Sequence, residues 1–147
     1  MKTHHYTVSA KETEQLAEQF GRSLTTGGVI ALYGTLGSGK TTFVKGLARG
    51  VGVTSAIQSP TFILMNVHDI RHHALKTLVH VDCYRLDSVG ELREIGLEDY
   101  LVDPSALMVI EWAEKAKGLI PKKCTKIRFG IEPDHTHLIT IEQSQSR

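Results

Sequence analysis

The stretch GTLGSGKTT, residues 34–42, fits the phosphate-binding loop pattern G-x4-G-K-[ST]. Glycines allow the backbone to point successive N–H groups into one anion-binding hollow, because they tolerate positive φ and close approach to a ligand. The apolar run 29–33 precedes the loop as a buried parallel strand would, and 42–49 follows it as a helix. Strand, glycine loop and helix in this order predict an α/β fold that binds a phosphorylated ligand.

The loop residues have separate predicted roles in holding a nucleotide with Mg²⁺. Lys40 is expected to bridge the β- and γ-phosphates, which makes it a catalytic candidate, and the Thr41 hydroxyl is expected to bind Mg²⁺. The helix that begins here directs the positive end of its dipole at the phosphates. The predicted nucleotide-binding residues are Gly34, Gly37, Ser38, Gly39, Lys40, Thr41 and Thr42.

Length and composition restrict the class of protein. The 147 residues fit one domain, 1–147, and a net charge of +1 provides no global field that would recruit nucleic acid. The first six residues lack the apolar core of a signal peptide, and no stretch approaches the ~18 apolar residues of a membrane span. We therefore expect a cytoplasmic protein without membrane contact. Cys83 and Cys124 are isolated and predict reduced, buried thiols.

The rest of the chain alternates between helical and strand patterns. Capping boxes at 9–12 and 88–91 predict the starts of two helices, the first of which extends to about Leu24. Apolar runs predict strands at 61–67, 75–83, 106–110, 127–131 and 138–141, with the first two and the last two as candidate hairpins. The sum is an α/β, P-loop NTPase-like three-layer domain whose central sheet mixes parallel and antiparallel strands.

Hydrolysis of a bound nucleotide requires an acid that holds Mg²⁺ and a group that places the attacking water. Two apolar strands run into carboxylates, at Asp82 and at Glu111, and spacing alone does not decide which one contacts the metal. The run before Glu111 is the more continuously apolar, which favours a central strand beside the loop strand. We therefore predict Glu111 as the Mg²⁺ ligand together with Thr41, and Asp82 as the catalytic group that orients or deprotonates water.

Further candidates surround this set. Thr61, in Ser-Pro-Thr at 59–61, is predicted to sense the γ-phosphate or Mg²⁺ as a switch, with an ordinary Ser-Pro turn as the alternative. His135 and His137 share one face of a strand and could bind a metal, although a solvated hairpin is favoured. The fold indicates Thr13 and the strand near Arg128 for the adenine.

The absence of the guanine-nucleotide motifs of GTPases favours ATP or ADP as the bound nucleotide. GTPases carry D-x-x-G and N-K-x-D, whereas Asp82 is followed by Cys-Tyr-Arg and no N-K-x-D occurs. Small-molecule kinases need a second substrate pocket and a lid over the phosphates, and the chain has little spare length for either. An ATPase, a nucleotide-dependent binding module and a small-molecule kinase stay open, in that order of preference.

Five motifs together resemble the TsaE family, once called YjeE. They are G-x-L-G-S-G-K-T-T-F at 34–43, S-P-T-F at 59–62, H-x-D-x-Y-R-L at 80–86, E-x4-G-L-E-D-Y at 91–100 and I-E-W-A-E at 110–114. The phosphate loop is shared by many families, but S-P-T-F followed by H-x-D-x-Y-R-L and I-E-W is specific to this one. Thr35 departs from the Asp that often follows the first loop glycine.

The resemblance implies a bacterial ATPase required for making threonylcarbamoyladenosine (t6A) next to the anticodon of tRNA. It implies docking on a TsaB–TsaD heterodimer, which ATP hydrolysis resets between catalytic cycles, and contact with tRNA only through that complex. It also implies that Thr41 and Glu111 hold Mg²⁺, and that Thr61 and Asp82 lie in switch-like segments.

Overall fold

The computed structural model of the chain describes residues 1–35, 37–58, 60, 64–71 and 74–144. The strands are β1 (Lys2–Thr7), β2 (Gly28–Gly34), β3 (Met65–Asp69), β4 (Thr77–Asp82), β5 (Ala106–Glu111), β6 (Thr125–Ile131) and β7 (His137–Gln143). The helices are α1 (Ala10–Ser23), α2 (Lys40–Val51), α3 (Val89–Glu94), α4 (Leu97–Leu101) and a 3-10 helix, Ala113–Ala116. Within the described ranges, no helix is long and apolar enough to cross a membrane.

The strands form one sheet in the order β1-β7-β6-β2-β5-β4-β3. Strand β2, which leads into the glycine loop, pairs in parallel with both β5 and β6, and β5 pairs in parallel with β4. The pairs β1–β7, β6–β7 and β3–β4 are antiparallel. The predicted mixed sheet is therefore confirmed, and the parallel strands at its centre aim their carboxyl ends at the loop.

Apolar side chains from the two faces of the sheet enter separate cores. On β2, Ile30 and Leu32 pack with the α2 residues Phe43 and Leu47, whereas Ala31, on the opposite face, packs in the other cluster. That second cluster includes side chains of α3, α4 and the 3-10 helix. Successive strand residues point to opposite faces, so a strand that is apolar throughout is covered on both sides. The result is the predicted three-layer arrangement.

Helix α1 begins as its capping box predicts, with a shift in one partner. Ser9 Oγ accepts a hydrogen bond from the Glu12 backbone N–H at 3.1 Å. Glu12 Oε1 accepts from the backbone N–H of Val8, at 2.9 Å. The reciprocal bond of a capping box goes to the N-cap itself, so here it is displaced by one residue while still satisfying a free N–H group.

The structure differs from the sequence predictions in detail; for example, the strand predicted at 61–67 is β3, Met65–Asp69, and Leu64 lies outside it. Strand β1 was not predicted, because its side chains are mostly polar and exposed on both faces and it is held by pairing with β7. Helix α2 begins at Lys40 rather than at residue 42, so it includes Lys40 and Thr41 in its first turn. At the second capping box, the Ser88 side chain caps none of the described N–H groups, although Glu91 accepts from the Asp87 N–H at 3.3 Å.

Both cysteines are free and buried, as their isolation in the sequence predicts. Burial raises the pKa of the Cys83 thiol to about 12, and it also raises the pKa of Cys124. Thiols are nucleophilic only as thiolates, so these side chains serve as small apolar groups of the core.

Helices α1 and α2 approach each other closely at Gly46, in the middle of α2. A Cβ placed on Gly46 would lie 2.2 Å from the Glu14 carbonyl oxygen and 2.9 Å from the Ala17 Cβ. Backbone atoms cannot rotate away as a flexible side chain can. The absence of a side chain at Gly46 therefore sets the distance between the two helices that cover this face of the sheet.

We expect Gly46→Ala to destabilise the protein by about 2–3 kcal/mol, since overpacking forces backbone shifts that cost more than the helix propensity gained. Gly130→Ala is the control, because a Cβ at this exposed strand position meets no atom within 4 Å. Urea unfolding of both variants measures the difference in unfolding free energy. Equal stability of Gly46→Ala and the parent chain would show that the helices separate without cost.

Candidate functional site

The glycine loop begins where β2 ends at Gly34 and closes at Gly39, the N-cap of α2. Gly37 and Gly39 have φ of 77° and 106°, in the region that residues with a Cβ rarely adopt. Ser38 lies between them and is buried. A chain with side chains at these two glycines could not follow this path without strain, which is the physical basis of the sequence pattern.

Lys40 lies over the hollow of the loop and contacts its backbone. Its Nζ donates to the carbonyl oxygens of Gly34 at 2.6 Å and Thr35 at 2.8 Å, and lies 3.4 Å from Ser38 Oγ. Burial lowers the pKa of Lys40, while the carboxylates of Glu111, Glu114 and Asp82 act in the opposite direction. The ammonium group is thus hydrogen-bonded to carbonyl oxygens of the loop. An anionic ligand in the loop would compete with these carbonyls for the ammonium group.

A chain of hydrogen bonds joins the start of α2 to the sheet. Thr41 Oγ1 donates to Glu111 Oε1 at 2.8 Å, and His80 Nε2 is 2.6 Å from Glu111 Oε2. Glu111 and His80 are 2% and 0% exposed, and His80 Nδ1 has no hydrogen-bond partner among the described residues. His80 fixes one carboxylate oxygen, so the other faces Thr41. Sequence reasoning had no role for His80, although H-x-D was noted as a motif.

Asp82 occupies the position beside Glu111 on the neighbouring strand. The two residues are paired in the β4–β5 register, and Asp82 is buried. Asp82 Oδ1 accepts a hydrogen bond from the Tyr84 backbone N–H at 3.0 Å. Adjacent strands lie ~4.8 Å apart, so the two predicted acids are brought to the same edge of the sheet, facing the loop.

A cavity of about 480 Å³ contains most of the predicted site. Its lining, among the described residues, is Ser9, Ala10, Thr13, Gly37, Gly39, Lys40, Thr41, Thr42, Asp82, Tyr84, Glu111, Trp112 and His137. Thr13, suggested for the adenine, therefore faces the cavity. Arg128 does not belong to this lining, and its guanidinium lies 5.1 Å from the centroid of the Tyr33 ring.

Trp112 and His137 also line the cavity; the sequence predicted no site role for Trp112, and for His137 it considered only a metal site shared with His135. Trp112 has a φ of 56°, and its ring centroid is 4.2 Å from Lys40 Nζ and 5.0 Å from the Tyr84 ring. His137 Nδ1 is 3.0 Å from the Ser38 carbonyl oxygen, instead of being solvated as the hairpin pattern favoured. The position of Trp112 next to Glu111 in the sequence could have indicated its place in the site, whereas the spacing of His135 and His137 did not indicate contact with the phosphate loop.

Thr61, the predicted switch residue, lies outside the described residues, and its role stays a prediction. Among the residues that are described, no group of three or more His, Cys, Asp or Glu side chains could hold a metal ion. The Thr41 hydroxyl and the Glu111 carboxylate are nevertheless hard oxygen donors within hydrogen-bond distance of each other. Mg²⁺ is usually bound through one or two carboxylates plus substrate phosphates, and this pair fits such a shared site.

The class of protein is defined by these features together. A parallel strand, a loop with positive-φ glycines, a lysine at the start of the following helix and an acid at the end of the adjacent strand are the parts of a P-loop NTPase-like domain. The phosphate-loop interpretation of residues 34–42 thus has the predicted structural context on both sides.

Comparisons with known proteins narrow this class to a family. The model of the TsaE family, described as threonylcarbamoyl adenosine biosynthesis protein TsaE, matches residues 7–139. The chain belongs to the TsaE family, whose members take part in tRNA threonylcarbamoyladenosine biosynthesis. This membership confirms the resemblance carried by the sequence motifs.

Individual relatives match over most of their length. A tRNA threonylcarbamoyladenosine biosynthesis protein TsaE of Treponema pallidum is 38% identical over 90% of this chain and 95% of its own. The Bacillus subtilis protein of the same name is 33% identical over 92% of this chain and 82% of its own. The crystal structure of Bacillus subtilis YdiB has a TM-score of 0.80 at 28% identity, covering 99% of this chain and 87% of that one.

Proposed function

We propose that the protein binds ATP with Mg²⁺ and hydrolyses it to reset a TsaB–TsaD complex during t6A modification of tRNA. The observation that carries the proposal is the 2.8 Å hydrogen bond between Thr41 and Glu111. It joins the residue after the loop lysine to an acid on the strand beside the loop strand. A glycine loop alone serves to bind a nucleotide. The pairing of Thr41 with Glu111 supports a metal site beside the phosphates, and hydrolysis requires such a site.

Mg²⁺, when bound, would neutralise charge that develops on the transferred phosphoryl group. Thr41 and Glu111 would hold it, in keeping with their donor chemistry and their distance. His80 keeps Glu111 oriented through the second carboxylate oxygen, so that the remaining oxygen stays directed at α2. A preset orientation reduces the rearrangement that the acid must undergo when a ligand enters.

Lys40 would exchange its bonds to the loop carbonyls for bonds to the β- and γ-phosphates. Backbone N–H groups of the loop and of the first turn of α2 would hold the remaining phosphate oxygens, since a helix start favours anions. The base would then occupy the opposite part of the cavity, beside Thr13 at the start of α1. Thr13 Oγ1 is hydrogen-bonded to Thr7 Oγ1 at 2.7 Å. This uncharged pair of hydroxyls suits an uncharged base beside it.

Asp82 is the residue we propose to orient or deprotonate the attacking water. It lies in the cavity at the level of Glu111, on the side away from the loop strand. A buried carboxylate at this position can accept a proton from water or hold it in line with the γ-phosphate. Thr61 would complete the site as a sensor of the γ-phosphate.

The biological role rests on family membership. We place this role in the cytoplasm, and a net charge of only +1 suits contact with tRNA through partner proteins. Hydrolysis that is weak in the free chain and activated by TsaB and TsaD would tie each ATP to one cycle of the complex.

Single-turnover hydrolysis tests this proposal against its alternative, a binding module that changes conformation without hydrolysis. The chain is mixed with stoichiometric TsaB, TsaD and labelled ATP, and phosphate release and tRNA modification are followed together. We expect phosphate release that requires Mg²⁺ and modification that requires this chain. Modification without phosphate release would favour the binding module, and label on a metabolite would favour a kinase. Modification that proceeds equally without this chain would refute the proposed role.

A further inference from the structure

His137 connects the C-terminal hairpin to the phosphate loop. It is the first residue of β7, 99 positions along the chain from Ser38, and its Nδ1 lies 3.0 Å from the Ser38 carbonyl oxygen. A carbonyl oxygen can only accept, so Nδ1 carries the proton of this bond. The imidazole therefore donates to the backbone of the loop.

This bond also affects the orientation of the peptide that joins Ser38 to Gly39. The Ser38 carbonyl and the Gly39 N–H belong to one peptide unit, which is planar and trans, so they point in opposite directions. A donor that holds the carbonyl towards His137 keeps the N–H of Gly39 directed away from His137. That N–H belongs to the glycine loop whose amides form the anion-binding hollow.

Gly39 is the residue at which this peptide would otherwise rotate. Its φ of 106° is open to glycine alone among common residues, and glycine populates several neighbouring conformations. A Cβ at Gly39 would lie 3.7 Å from His137 Nδ1, so the ring is in contact range of the loop backbone. The conformational freedom of Gly39 permits the path of the loop. Because of the same freedom, the orientation of the Ser38–Gly39 peptide depends on a contact from outside the loop, such as that of His137.

We propose that His137 is a positioning residue that orients the Ser38–Gly39 peptide for binding of a nucleotide's phosphates. The inference rests on the proposed nucleotide site and adds one element to it. His137 would act through the backbone of the loop, and a ligand without phosphates in the loop would not depend on it. Nucleoside di- and triphosphates are thus the class whose affinity it sets.

The test compares His137→Phe, which keeps a ring and removes the donor, with His137→Asn, which carries an N–H at the same number of bonds from Cβ. ADP affinity is expected to fall about 3- to 10-fold in His137→Phe, the range expected for one hydrogen bond, and to stay within about twofold in His137→Asn. AMP, which lacks the β-phosphate, is expected to bind both variants as it binds the parent. A loss confined to ADP would not arise from a general loss of structure.

His135→Asn is the matched control, because His135 is exposed on the same hairpin and Asn tolerates its φ of 70°. If His137→Phe fails to fold, His137→Leu, which is smaller and also lacks a donor, is expected to show the same loss for ADP. Unchanged ADP affinity in the folded donor-free variant would overturn the inference while leaving the nucleotide site intact. Failure of the parent chain to bind ADP would instead refute the proposed function itself.

Discussion

Glu111→Gln is expected to lower ATP turnover in the presence of TsaB and TsaD by about 10²–10³-fold, since a metal ion contributes several kcal/mol and each ~1.4 kcal/mol is tenfold in rate. Affinity for ATP without Mg²⁺ is expected to change little. The reason is that Gln removes the charge that would hold Mg²⁺ while the glycine loop and Lys40 are untouched. Added Mg²⁺ should then no longer alter the affinity of the variant for ATP.

The substitution is conservative in shape and hydrogen bonding. A Gln carbonyl can accept from His80 Nε2, and its amide can donate to the Thr41 hydroxyl, so both contacts of Glu111 can persist. Glu111→Ala would instead leave His80 buried without its partner, and would mix loss of stability with loss of the metal site. Gln therefore separates the role of the charge from that of the contacts.

Glu94→Gln is the control for this prediction, because Glu94 is an exposed acid of α3 whose charge is not among those that act on Lys40. Both variants are compared by thermal unfolding, by ATP binding with and without Mg²⁺, and by single-turnover phosphate release with the partner proteins. A Glu111→Gln variant that releases phosphate at the parent rate would remove Glu111 from the metal site and would direct attention to Asp82.

The central strands and the loop were predictable from sequence because their determinants are local. A glycine loop between an apolar strand and a helix is set by backbone conformation and burial within about twenty residues. The choice of Glu111 over Asp82 used one further fact, that continuous apolarity indicates a strand covered on both faces. The structure places β5 directly beside β2, with Leu32 paired to Glu111.

Long-range contacts account for what the sequence did not reveal. Strand β1 is polar and exists through its pairing with β7, and His137 reaches Ser38 through a hairpin 99 positions away. In each case the local pattern is that of an exposed segment, and only the assembled sheet brings it to its partner. His80 is a similar case. Its contact with Glu111 follows from the position of β4 between β3 and β5, and the alternation of polar and apolar residues along β4 does not predict that contact.

Lys40→Ala is expected to lower ATP affinity by about 10–100-fold, because hydrogen bonds from a charged donor contribute ~1.5–3 kcal/mol and each ~1.4 kcal/mol is tenfold in affinity. In the structure the ammonium group already lies at the loop, bonded to the carbonyls of Gly34 and Thr35. Burial lowers the pKa of Lys40, because desolvation disfavours the charged form. Phosphate oxygens would offer that charge a negative partner, which the loop carbonyls do not.

The chain supplies its own probe for this experiment, because Trp112 is its only tryptophan and its ring lies 4.2 Å from Lys40 Nζ. Titration with ATP should change the fluorescence of the parent at low concentration and that of Lys40→Ala only at higher concentration. Lys45→Ala, an exposed lysine on the same helix, is the control and should titrate like the parent. The affinity for AMP, which has neither the β- nor the γ-phosphate, should differ less between parent and variant. If Lys40→Ala binds ATP within about threefold of the parent, a difference of about 0.65 kcal/mol, the charge of Lys40 serves the loop's own carbonyls rather than a ligand.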